Sequence, residues 1–175
     1  MSRLPPIDRE SLNDAQAAVL DAIESGPRGK LGLVGPFGVY VRAPGVGQAT
    51  QAMGAAVRYG TELAEKPKEV AICTVGAFFH SKFEFAAHTA LAAKAGVAAH
   101  IVESLRVGKP PVFEHDDESI AYDVARALLT EHRLSDELYA QASATLGQTQ
   151  LIELVVTVGY YSTVSLTLNT FEIPL

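Results

Sequence analysis

The apolar positions along this chain recur mostly at three- and four-residue intervals, the period of helices that bury one face. Residues 1–10 carry two prolines and are expected to form an arm. Ser11 stands where an N-cap belongs, ahead of a stripe made by Leu12, Ala15, Val19 and Ile23, and Gly26 provides a stop. The Gly- and Pro-rich stretch 26–47 is too broken to predict regular elements. Helical spacing resumes at Gln48 and runs to the Lys66-Pro67 break. Pro67 suits the first position of the next helix, which places Glu69 in its first turn, where a carboxylate complements the helix dipole. That helix, 68–80, is apolar nearly all round and is expected to be buried.

Residues 83–97 form a further predicted helix with Gly96 as its C-cap, and another spans Ala98 to Gly108. Pro110-Pro111 opens a linker over 108–118. The segment 118–133 is amphipathic, Ser135 caps 135–147, and 148–171 is long and apolar. The last segment is rich in Val, Thr and Tyr, which suits a strand. It runs several times a usual strand length without a turn signal, which favours a helix. The prediction is one all-α domain over 1–175, a bundle of about eight helices. Thr74-Val75-Gly76 recurs as Thr157-Val158-Gly159, each before a pair of aromatics, and this short echo suggests two related helical hairpins.

The 175 residues are 48% apolar with a net charge of −6, enough to build a core and short of the basic surface that nucleic acid needs. No signal peptide and no uninterrupted apolar run of about 18 residues is evident, so neither a membrane span nor export is expected, and the cytoplasm is the expected compartment. The single cysteine, Cys73, cannot form an internal disulfide and suits a small buried hydrophobe. Gly32, Gly35 and Gly38 match no phosphate-binding pattern. No cofactor motif is present.

Ser81, Glu84 and His88 are spaced i, i+3, i+7 and therefore share one helix face, crossing an otherwise Phe- and Ala-rich surface. A carboxylate four residues before an imidazole can hydrogen-bond it, orient it and raise its pKa, which suits proton transfer near neutrality. His80 lies on the other side of Glu84, so a His80–Glu84–His88 metal site is an alternative, although His80 falls near a helix junction. His115 with Asp116, Asp117 and Glu118 reads as a solvated acidic loop.

The ordered series Gly35-Pro-Phe-Gly-Val-Tyr-Val-Arg-Ala-Pro44, Pro67-Lys-Glu-Val-Ala-Ile72, Glu84-Phe-Ala-Ala-His88 with Ala92 and Gly96-Val97, and Gly159-Tyr-Tyr161 before Leu168-Asn169, resembles the carboxymuconolactone decarboxylase superfamily. It covers most of residues 30–175. The decarboxylases of that superfamily carry a Glu-x-x-x-His pair similar to Glu84 and His88. Its alkylhydroperoxidase D-like, peroxiredoxin-related branch carries Cys-x-x-Cys-x-x-x-His with an upstream glutamate. On this chain, that pattern falls on Ser81, Glu84, His88 and Glu69, so both redox thiols are absent. The resemblance implies an all-helical alkylhydroperoxidase D-like fold and a homo-oligomer, a trimer or hexamer with sites near subunit contacts.

What the resemblance and the polar stripe imply together is cofactor-independent acid–base catalysis on a small organic acid or lactone, a decarboxylation of the lyase type. His88 is the general acid or base, Glu84 orients it, and Glu69 is a second proton shuttle or a polar anchor. Ser81, Arg42 and Tyr160 are candidate substrate-binding residues, and Lys82 is a further cation by position. The bland readings stand beside these: Glu69 as a dipole partner, Ser81 as a helix cap, His88 as a satisfied core residue and Tyr160 and Tyr161 as helix packing. The alternatives are residual thiol-peroxidase activity, disfavoured by the missing Cys pair, and a non-catalytic ligand-binding protein of the same fold.

Overall fold

Buried apolar positions at helical spacing become eight α-helices among the described residues, 2–175, of a computed structural model, and those residues contain no strand. The fold class is all-α, as the periodicity predicts. The helices are α1 (Asp14–Glu24), α2 (Phe37–Tyr40), α3 (Pro44–Tyr59), α4 (Glu65–Phe78), α5 (Lys82–Ala95), α6 (Ala99–Arg106), α7 (Asp116–Thr130) and α8 (Asp136–Thr170). Two compact units result, residues 1–60 with 167–175, and residues 61–166.

In the first unit, Val19, Leu20 and Ile23 of α1 meet Val41, with Ile7, Leu12, Leu33 and Phe37 packed around them. Asn13, not Ser11, caps α1: its side chain accepts from the Gln16 amide while Gln16 reaches back to the Asn13 amide. Ser11 is instead the last residue of a 3-10 turn, Arg9–Ser11, tied to Asp8. The 26–47 stretch is more regular than its composition predicts. It holds α2 and the start of α3, where Pro44 occupies a first-turn position that needs no amide donor. Gly47 lets the chain double back, because a Cβ there would sit 2.0 Å from the Tyr40 carbonyl oxygen.

The second unit is built on α4, which packs against α5, α6 and α7. Its core joins Val70, Cys73, Ala92, Val97, Ile101, Val102 and Leu105. α4 begins two residues before Pro67, so Glu69 lies beyond the first residues of the helix and is fully buried. The dipole-partner reading of Glu69 therefore gives way to one in which the carboxylate has a buried partner. Gly76 admits α5 to close range: a Cβ there would lie 3.3 Å from both N and Cα of Phe85. Gly96 ends α5 in the left-handed conformation at φ 88°, as expected of a C-cap.

The 108–118 linker is shorter than predicted, since Asp116, Asp117 and Glu118 form the first turn of α7, where acidic residues suit the dipole. Ser135 caps α8 by accepting from the Leu138 amide. α8 contains both of the last two predicted segments, with a break at Gly147 (φ 75°, ψ 171°). It is the one helix among the described residues long and apolar enough to cross a membrane, and half of its most apolar window is buried in the fold. The Thr-Val-Gly echo does not extend to packing, because Gly159 has open space where Gly76 meets Phe85.

Candidate functional site

Glu69 on α4 and Glu84 and His88 on α5 meet in the second unit. Nδ1 of His88 lies 2.7 Å from Oε2 of Glu69, and Nε2 lies 3.0 Å from Oε1 of Glu84. The second contact is the i,i+4 pair expected from helical spacing; the first needs the close α4–α5 approach at Gly76. All three residues are buried, with His88 7% exposed and Glu69 fully enclosed. The ring of Tyr161 from α8 packs edge-on against the imidazole at 4.8 Å between centroids. Tyr160 packs on Tyr161 in turn.

The Nδ1 contact with Glu69 is a hydrogen bond, and the Nε2 contact with Glu84 is an ion pair whenever the ring is charged. Burial by itself lowers the pKa of His88, but the hydrogen bonds to Glu69 and Glu84, together with their negative charges, outweigh it and raise the pKa above its ordinary 6.5. Both carboxylate neighbours favour the charged form of the ring.

The other candidate residues are placed differently. Ser81 occupies the N-cap position of α5, yet its side chain caps no amide. It is 1% exposed and its Oγ has no hydrogen-bond partner among the described residues, so the simple capping reading fails. Arg42 lies in the first unit, where its guanidinium donates to the carbonyls of Gly38 and Pro5. Those bonds give it a structural role there. Lys82 opens α5 and lines a cavity of about 200 Å³ together with Ser81 and His80. His80 closes α4 in the left-handed region at φ 51°. No group of three or more His, Cys, Asp or Glu side chains is arranged to hold a metal ion among the described residues, and both ring nitrogens of His88 are already engaged.

Two further features bear on the chemistry. Cys73 is buried in α4, and burial first, then the carboxylates of Glu69 and Glu84, push its thiol pKa up. It stays a thiol at neutral pH and is a poor nucleophile. Tyr161 is the aromatic whose ring packs on His88. Positions 154, 158, 161, 165 and 168 of α8 are buried, and so are 157, 160 and 164, so both tyrosines face the fold. Lys68, next to Glu69, is also buried, its Nζ donating to Glu65 at 2.8 Å. No protein-family model matches the chain, and no curated protein sequence matches it.

Proposed function

We propose that this chain is a cofactor-independent acid–base enzyme of the carboxymuconolactone decarboxylase type, releasing CO2 from a small carboxylated lactone or related organic acid. The observation that carries the reading is the buried Glu69–His88–Glu84 cluster, an imidazole held at both nitrogens by carboxylates. The C–C bond to the substrate carboxylate breaks, its electron pair remains on carbon as an enolate-like carbanion, and CO2 leaves. His88 gives its proton to that carbon and recovers one from solvent, so each turnover consumes one proton. Glu69, fully enclosed, anchors Nδ1. Nε2 is then the delivering nitrogen, on the side of the longer contact, and Glu84 orients the ring until the substrate arrives.

The upward shift of the His88 pKa by its two carboxylate neighbours favours the acid form, which this step requires. The buried, protonated state of Cys73 argues against thiol chemistry at the same place. Self-association belongs to the same proposal: Ile152, Val155, Val156 and Leu166 leave an apolar stripe of α8 exposed, as an interface between copies of the chain would need. The test is CO2 release from 4-carboxymuconolactone by the purified protein, with His88→Ala as the control. Release that His88→Ala abolishes is the expected result. Release that survives the substitution overturns the role of His88, and none from the native protein overturns this substrate.

A further inference from the structure

Two neighbouring cavities of the second unit are lined without a carboxylate. Two cavities, of about 200 and 340 Å³, share Ala77 and His80 at the turn between α4 and α5. Their walls include His80, Lys82, Arg106, Lys109 and Arg126, and no Asp or Glu lines either of them. A third cavity, by contrast, has Glu114 and Glu118 in its lining together with Lys66. In a protein with 20 acidic and 14 basic residues, basic side chains therefore face the first two cavities, Arg106 among them being paired with Glu103.

The smaller cavity lies at the start of α5, a 14-residue helix whose first-turn amides have no preceding carbonyl within the helix. The Phe85 amide is the first to find one, at Ser81. Ser is usually placed at this position to accept from such an amide, but Ser81 does not. Its hydroxyl is instead buried without a partner beside the cavity, an unfavourable condition that a ligand oxygen would relieve. A negatively charged oxygen placed there would accept from the hydroxyl and from the α5 amides, and would also be attracted by the helix dipole.

We propose that this cavity is a binding subsite for the carboxylate of a small organic acid, held by Ser81 Oγ and the first-turn amides of α5, with Lys82, His80 and Arg106 at its rim. The proposal rests on the acid–base reading above only in taking the acid to be the substrate class. Arg106 is already held by Glu103 through two hydrogen bonds, which leaves Lys82 as the more available of the two permanent cations. Ser81 lies two turns from His88 on the same helix face of α5.

The experiment is amide NMR of the full chain titrated with succinate, and separately with inorganic phosphate and with chloride at matched ionic strength. The expected result is saturable shifts confined to the amides of residues 81–85 with succinate, and weaker responses to the other two anions. Ser81→Ala should weaken succinate binding about tenfold, the size of one lost charge-assisted hydrogen bond. It should leave Tm unchanged or raised, because the hydroxyl it removes has no protein partner. Shifts spread over the surface, equal responses to all three anions, or unaltered binding in Ser81→Ala would each overturn the subsite. Succinate binding without CO2 release from any acid overturns the lyase reading alone; turnover without shifts at 81–85 overturns the subsite alone.

Discussion

His88 and Glu69 come from neighbouring helices and meet at 2.7 Å, with the carboxylate fully enclosed and the imidazole nearly so. A buried carboxylate is costly without a partner, and here the partner is also held from its other side by Glu84. Removing the ring and removing one carboxylate are therefore unequal. His88→Ala leaves two carboxylates facing an empty space and is expected to cost about 3–5 kcal/mol. Glu69→Gln leaves the His88–Glu84 pair intact and should cost about 1.5–3 kcal/mol, the range for a hydrogen bond to a charged group. Urea unfolding of both variants checks the order.

The pH dependence of stability carries a defined sign. The folded pKa of His88 lies above its ordinary 6.5, so the folded state binds the proton more tightly than the unfolded chain does. The resulting stabilisation is full below about pH 6.5 and is lost as pH rises through the folded value. The difference in unfolding free energy between native protein and His88→Gln should shrink across that window. Denaturant titrations from pH 5.5 upward, in roughly half-unit steps, measure it.

Gly76 sets how close α4 and α5 can come. An added methyl would press on the Phe85 backbone at 3.3 Å, and backbone atoms yield less readily than side-chain ends. Helix propensity favours Ala over Gly by about 1 kcal/mol, which offsets part of the strain. Gly76→Ala is expected to be destabilising by roughly 1 kcal/mol net, lowering Tm by about 2–4 °C. It should also lower turnover by loosening the contact between Glu69 and His88. A calorimetric scan and a rate measurement on the same variant test both effects.

Cys73 should behave as a core residue. Burial and two nearby carboxylates keep it protonated, so a thiol reagent is expected to label it only as fast as the protein unfolds. In denaturant it should react at once. A hydroperoxide assay with a dithiol reductant should show no consumption above background.

Much of this organisation is legible in the sequence. Strong helical spacing marks α1 and α3 through α7, and Gly96 and Ser135 mark a stop and a start in the right places. The pairing of Glu84 with His88 follows from helical periodicity. Glu69 comes from a different helix, and spacing along the chain does not tie it to them. The start of α3 is hidden because Pro44 and Gly45 look like breakers, whereas the first turn of a helix tolerates both. Asn13 outcompetes Ser11 as a cap because Gln16 completes a reciprocal pair of bonds. Tyr160 and Tyr161 are adjacent and both buried, so helical spacing alone does not tell which ring packs on His88. The unpartnered hydroxyl of Ser81 has no sequence signature, since a serine before a helix is an ordinary cap.

The proposed chemistry requires that His88 hold its proton between two carboxylates more tightly than a free imidazole does. A ring-nitrogen NMR titration of the native protein, labelled at histidine, reads this directly. A His88 titration displaced above the ordinary 6.5, and moved down in both Glu69→Gln and Glu84→Gln, is the predicted result. A titration at or below the ordinary value, or one indifferent to both substitutions, would contradict it.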